Sequence, residues 1–238
     1  LKRCFIEFSE ESILTNIINR NPGCSYSIFM GTSGENRKII IEINCKRQTL
    51  SFVKIAVSES AVQLVNNEFR ILSLLDAKDN INFRVPKVLS HCNGIVEVTN
   101  IKFSGAYQSS NLIPIHLKAL NELASIGSSD ITYNELPAKK AVLKAIETLE
   151  NRPSNSDNNG IELPRLLVKL KDVLNFLHHD SAMRCGMSHG DFTPWNMFIK
   201  EDLLYILDWE MSSENFPILY ALFHYVFQAE ILLNQANY

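Results

Sequence analysis

The chain has 238 residues, enough to bury a substantial core as one large domain or two smaller lobes. Its 46% hydrophobic and 21% charged residues are those of an ordinary globular protein, and 23 basic against 26 acidic residues leave a net charge of −3. That balance, with no stripe of Lys and Arg, argues against a nucleic-acid partner.

The five cysteines (Cys4, Cys24, Cys45, Cys92, Cys185) are scattered, odd in number and without a CxxC pair. Neither a zinc site nor a disulfide framework is expected, and a reducing, cytoplasmic setting fits best. Charges mixed into Leu1–Phe8 give no signal peptide.

In chain order, Ser9 suits the cap of a short helix to about Ile18, which Asn21-Pro22-Gly23 stops. Strand-like runs follow at Tyr26–Met30, Lys38–Ile43 and Leu50–Val57, joined by short hairpin connectors. Ser58 or Ser60 opens a helix whose apolar positions Val62, Val65, Phe69, Leu72 and Leu75 form one stripe. Val85–Leu89 and Ile95–Thr99 read as two more strands.

From Pro114, a residue suited to a first helical position, the pattern becomes mostly helical. Helices are expected at His116–Ser125, Pro137–Asn151 and Leu163–His179, with the polar PSNSDNNG segment between the last two as a mobile loop. A hairpin follows at Met197–Ile199 and Leu203–Leu207. The apolar run from Phe216 to Leu233 is interrupted by His224, Gln228 and Glu230, so it reads as a buried helix beginning at Pro217 and not as a membrane span. With no initiating Met and an end just after this run, the chain is expected to be part of a longer protein.

The segment richest in chemistry is His189-Gly190-Asp191-Phe192-Thr193-Pro194-Trp195-Asn196, followed by Ile206-Leu207-Asp208-Trp209-Glu210. Phosphoryl transfer needs a carboxylate to orient and deprotonate an attacking hydroxyl, and oxygen ligands to hold magnesium on nucleotide phosphates. Asp191 supplies the first, and Asn196 and Asp208 the second. A hairpin turn centred near Glu201 brings Asn196 within a residue or two of standing opposite Asp208, and opposed side chains lie roughly 5 Å apart at Cβ. Glu210 is a further candidate to assist the metal. His189 is expected to brace its own loop, and Trp195 and Trp209 to pack in the core.

HGDFTPWN followed by ILDWE resembles the catalytic and metal-binding motifs of the aminoglycoside phosphotransferase and choline kinase family, relatives of the protein kinases. The resemblance spans residues 26 to 233 and is most specific over 189–210. It implies an α+β, two-lobed protein-kinase-like fold: an N-lobe over 1–100 with a small antiparallel sheet and one helix, and a mainly helical C-lobe over 101–238. It implies an ATP- and magnesium-dependent kinase acting on a small-molecule hydroxyl, with aminoglycosides, choline-like amino alcohols and sugars all open as acceptors.

The family also needs a strand lysine for the phosphates and a helix glutamate to hold it. Lys54 lies within an apolar strand, Glu68 rides the edge of the helical stripe, and pairing the two offsets the cost of burying each charge. The Gly31-Thr32-Ser33-Gly34 turn falls where relatives carry the phosphate-covering loop, which assigns Gly31, Ser33 and Gly34 to the nucleotide. Asn100 falls at the hinge that receives adenine through main-chain hydrogen bonds. Two departures stand out: Phe52 where protein kinases keep a small residue against adenine, and Ala221 where relatives often carry an aspartate bracing the catalytic loop. A catalytically silent binding protein of the same fold is one alternative. A protein kinase is another, opposed by the short segment Trp209–Phe216 and by Gly190 in place of an arginine.

Overall fold

A computed structural model describes residues 13–78, 81–151, 163–176 and 181–233. The expected mobile loop, most of the Ser9 helix cap region and the His178-His179 pair lie outside the described residues. The chain divides into two units, Leu1–Asp79 with Val85–Lys102, and Asn80–Arg84 with Phe103–Tyr238.

The described residues of the first unit form a five-stranded antiparallel sheet with a helix on each face. Its strands are β1 (Ser25–Phe29), β2 (Lys38–Cys45), β3 (Gln48–Ala56), β5 (Val88–Cys92) and β6 (Ile95–Thr99), in the order β1-β2-β3-β6-β5. Side chains alternate across β3, so Val53 points one way and Lys54 the other. On the Val53 side, Ile17 of α1 (Ile13–Arg20) closes a core with Ile41 and Ile43. On the Lys54 side lies α2 (Glu59–Asp76), capped by the Ser58 hydroxyl on the Ala61 N–H. Helical spacing then buries Ala61, Val65, Glu68, Ile71, Leu72 and Leu75 along one face.

The cysteine expectation needs correcting, because Cys24 and Cys45 form a disulfide. The β1–β2 register pairs Ser25 with Asn44, so the next pair outward is Cys24 and Cys45, with Cα atoms 4.5 Å apart. That is the spacing of a directly opposed pair without mutual backbone hydrogen bonds. Scatter in sequence is therefore no guide here, and it no longer argues for a reducing compartment.

The second unit is less helical than its sequence pattern. Beside α3 (Pro114–Ser125), α4 (Pro137–Glu150) and α5 (Leu163–Phe176) its described residues hold two small sheets. One joins β4 (Phe83–Arg84), β10 (Leu203–Ile206) and β9 (Met197–Lys200) in that order. The other, unforeseen, joins β11 (Ser213–Pro217), β8 (Ala182–Ser188) and β7 (Ser129–Thr132). The expected helix start at Pro217 is also corrected: Ser213–Pro217 is a strand, and α6 runs over Tyr220–Gln228 before a π-turn at Ala229–Leu233. α6 is not the buried helix its sequence implied, since Phe223, Val226 and Phe227 are exposed while Ala221 and Tyr225 are buried. Among the described residues no helix is long and apolar enough to cross a membrane.

Candidate active site

The loop between β8 and β9 is fixed by its own sequence. Gly190 has φ +81, and a Cβ there would lie 2.1 Å from the Met211 carbonyl oxygen, so the loop folds against the 3-10 turn Trp209–Met211 only because position 190 has no side chain. Phe192 is fully buried and anchors the loop, with the His116 ring edge-on at 6.4 Å and the Tyr225 ring at 6.1 Å. Gly190→Ala adds left-handed strain to a backbone clash, and should destabilise the protein by about 2–4 kcal/mol. A melting temperature equal to that of the wild type would contradict this packing.

His189 is buried and bridges the two motifs. Its Nε2–H donates to the Leu207 carbonyl at 2.7 Å, and its Nδ1 accepts from the Asp191 N–H at 3.3 Å. Burial pushes its imidazole below the usual range, although the Leu207 bond and the Asp208 and Asp191 charges oppose this. Burial lowers His116 likewise. Both rings thus bind fewer protons folded than unfolded below about pH 6.5, so stability is complete above that pH and falls as acid is added. The urea midpoint should drop between pH 7.5 and pH 5.5; a rise would refute a neutral His189.

The Asp191 carboxylate is held at both oxygens. Asn196 Nδ2 donates to Oδ2 at 2.9 Å and to the Asp191 carbonyl at 3.1 Å. His224 Nε2, from α6, lies 3.1 Å from Oδ1. The sequence reading missed His224 as a site residue; its only signal was a polar ring in an apolar run.

Asn196 ends the 3-10 turn Pro194–Asn196, and β9 begins at the next residue. The β9–β10 ladder pairs Met197 with Ile206, and the Leu207 N–H reaches the Asn196 carbonyl at 2.9 Å. Asn196 therefore stands opposite Leu207, one residue short of Asp208. Glu201 and Asp202 make the turn with φ +50 and +57, the left-handed pair a two-residue hairpin requires. Asp208 is itself left-handed at φ +63, which aspartate tolerates better than most residues. It opens the turn carrying Trp209, fully buried against His189 and Phe83, and Glu210. Trp195, expected in the core, is instead 38% exposed, because the 3-10 turn points it outward.

These donors suit a hard cation. With its amide hydrogens turned toward Asp191, Asn196 has its oxygen left to offer, and Asp208 and Glu210 add carboxylate oxygens.

In the first unit, Lys54 Nζ lies 2.7 Å from one Glu68 carboxylate oxygen and 2.8 Å from the other. The side chains are 12% and 1% exposed, so this is a buried ion pair. Gly31 has φ +67, and a Cβ would meet the Lys38 carbonyl at 2.5 Å, which explains a glycine at the mouth of the β1–β2 connector. Ser33 and Gly34 lie at its exposed tip, and the adjoining Glu35 carbonyl accepts from both Ser58 and Ser60 at the start of α2. Asn100 is more engaged than expected. Its N–H donates to Leu50, its amide nitrogen to Thr49 and Lys102, and its amide oxygen accepts from the Lys102 N–H. Its backbone donor is thus used within the unit.

No family model matches the sequence, and no curated protein matches it. Solved structures do share its fold. The ternary complex of streptomycin, ATP and the phosphotransferase APH(2")-IIa is 15% identical, with 90% of this chain and 74% of that one covered at a TM-score of 0.60. Choline kinase LicA from Streptococcus pneumoniae is 19% identical, covering 94% and 76% at 0.58. A macrolide 2'-phosphotransferase type I is 16% identical, covering 97% and 83% at 0.57. The chain therefore has the two-lobed protein-kinase-like α+β fold, in the form found in aminoglycoside and macrolide phosphotransferases and choline kinase.

Proposed function

We propose that the protein is an ATP- and magnesium-dependent phosphotransferase acting on a hydroxyl of a small molecule. The observation that carries the proposal is the Asp191 carboxylate, oriented by Asn196, on a loop hydrogen-bonded through His189 to Leu207, the residue before Asp208. Asp191 orients the acceptor hydroxyl and takes its proton as the oxygen attacks the γ-phosphorus, whose bond to the β–γ bridging oxygen breaks so that ADP leaves. Lys54, fixed by Glu68, binds nucleotide phosphates, and the Gly31–Gly34 turn covers them with Ser33 nearest. Asn100 keeps a place at the adenine only through its main-chain carbonyl. Asn196 and Asp208, assisted by Glu210, hold magnesium, which neutralises phosphate charge when bound.

Known complexes of this fold support the nucleotide and the acceptor class: streptomycin with ATP on one phosphotransferase, gentamicin on the same one, AMP on LicA. A small-molecule acceptor is favoured over a protein because Trp209–Pro217, where a protein kinase builds its peptide platform, is taken up by a 3-10 turn and by β11. The proposal includes a cytoplasmic location, where ATP is supplied, and no nucleic-acid partner. Its test is ADP release from ATP across a library of aminoglycosides, macrolides, amino alcohols and sugars, with and without magnesium. At least one acceptor should give magnesium-dependent turnover; none, with no ATP bound in the presence or absence of magnesium, would end the proposal.

A further inference from the structure

We infer that His224 is a positioning residue for Asp191, an inference that rests on the phosphotransferase reading above. The Asp191 side chain is 37% exposed, so specific bonds and not enclosure must fix its carboxylate. Asn196 holds Oδ2 from within the same loop. His224 holds Oδ1 from α6, 33 residues away in sequence, and so ties the carboxylate to an element outside the loop.

The imidazole is itself held. Its ring stacks on Tyr220, one turn earlier on α6, at 5.7 Å and 17°, and Tyr220 stacks on Phe216 at 4.4 Å. One residue on, the buried Tyr225 hydroxyl donates to the Ser109 and Asn111 carbonyls and fixes the helix. Burial, and then the Asp191 charge, raise the Tyr220 phenol, so this ring stays neutral beside the carboxylate.

The consequence is geometric. Each carboxylate oxygen has two acceptor sites, so one N–H on each leaves room for the incoming hydroxyl at a fixed direction. Loss of that direction lowers turnover without touching the nucleotide, and a misplacement of about 1 Å costs up to ~10²-fold.

The test compares His224→Leu and His224→Gln with wild type. It follows ADP release from magnesium-ATP with streptomycin, erythromycin, choline and water as acceptors, and ATP affinity by calorimetry. His224→Leu should lower kcat about 10–100-fold with the acceptor KM and the ATP Kd within about threefold. His224→Gln, which retains an N–H donor, should recover most of the loss. Wild-type kcat in the leucine variant, or equal loss of kcat and melting temperature in both variants, would overturn the inference. Imidazole nitrogen NMR reads the contact without turnover: the His224 Nε2 signal should move in Asp191→Asn, and an unmoved signal overturns it. A wild-type protein that binds no ATP and turns over no acceptor while that signal does move sinks the phosphotransferase reading, and the positioning role with it.

Discussion

Asp191→Asn should fold like the wild type and lose about 10²–10⁴ in kcat. The amide has the same shape as the carboxylate, and its oxygen still accepts from Asn196, so loop geometry and melting temperature are expected to hold. What it lacks is basicity, because an amide oxygen takes no proton from an alcohol at neutral pH. Affinity for magnesium-ATP should stay within about threefold, since Asp191 is assigned to the hydroxyl and not to the phosphates. Turnover near the wild-type rate would remove Asp191 from the chemistry. Loss of both turnover and fold would show only a structural role.

The second large effect is expected at the Lys54–Glu68 pair. Glu68 is 1% exposed, and Lys54→Met leaves its carboxylate without the ammonium that faces it at 2.7 Å. Breaking a buried pair on one side costs about 3–5 kcal/mol. Lys54→Met should therefore lower the melting temperature by roughly 6–20 °C for a domain of this size. Replacing both members, Lys54→Met with Glu68→Leu, should recover much of the stability, because the desolvation cost vanishes with the charges. Nucleotide binding should recover in neither variant. Calorimetry giving wild-type ATP affinity in the double variant would detach Lys54 from the phosphates; a single variant as stable as wild type would deny that the pair is buried.

The parts of this site legible in sequence are those set by local arithmetic. The β9–β10 hairpin is short, so its turn alone puts Asn196 within a residue or two of Asp208, and the observed register makes that one residue. Lys54 within an apolar strand and Glu68 at the edge of the helical stripe were legible as a pair only together with the family resemblance of the downstream motif, since period alone fits a snorkelling lysine and a solvated glutamate equally well. The same arithmetic applied to Tyr26–Met30 and Lys38–Ile43 brings Cys24 only to within one residue of Cys45, and the odd, scattered cysteine count gave no reason to look there.

The β7-β8-β11 sheet was not legible. β8 reads Ala182-Met183-Arg184-Cys185-Gly186-Met187-Ser188, with no β-branched residue, and its partner β11 is polar and ends in proline. Both are strands because long-range pairing outweighs weak local preference. Gly186 shows the cost of that closeness, since a Cβ there would lie 2.2 Å from the Ala124 carbonyl of α3. His224 was hidden for a similar reason: its role exists only once α6 docks on the loop.

Transfer of label from γ-labelled ATP tests the small-molecule assignment most directly. Wild type and Asp191→Asn would be incubated with magnesium and either a desalted protein extract or a protein-free metabolite extract. Label should enter a small molecule with the wild type and fall at least a hundredfold with Asp191→Asn. Label entering specific proteins, dependent on Asp191 and absent from the metabolites, would contradict it.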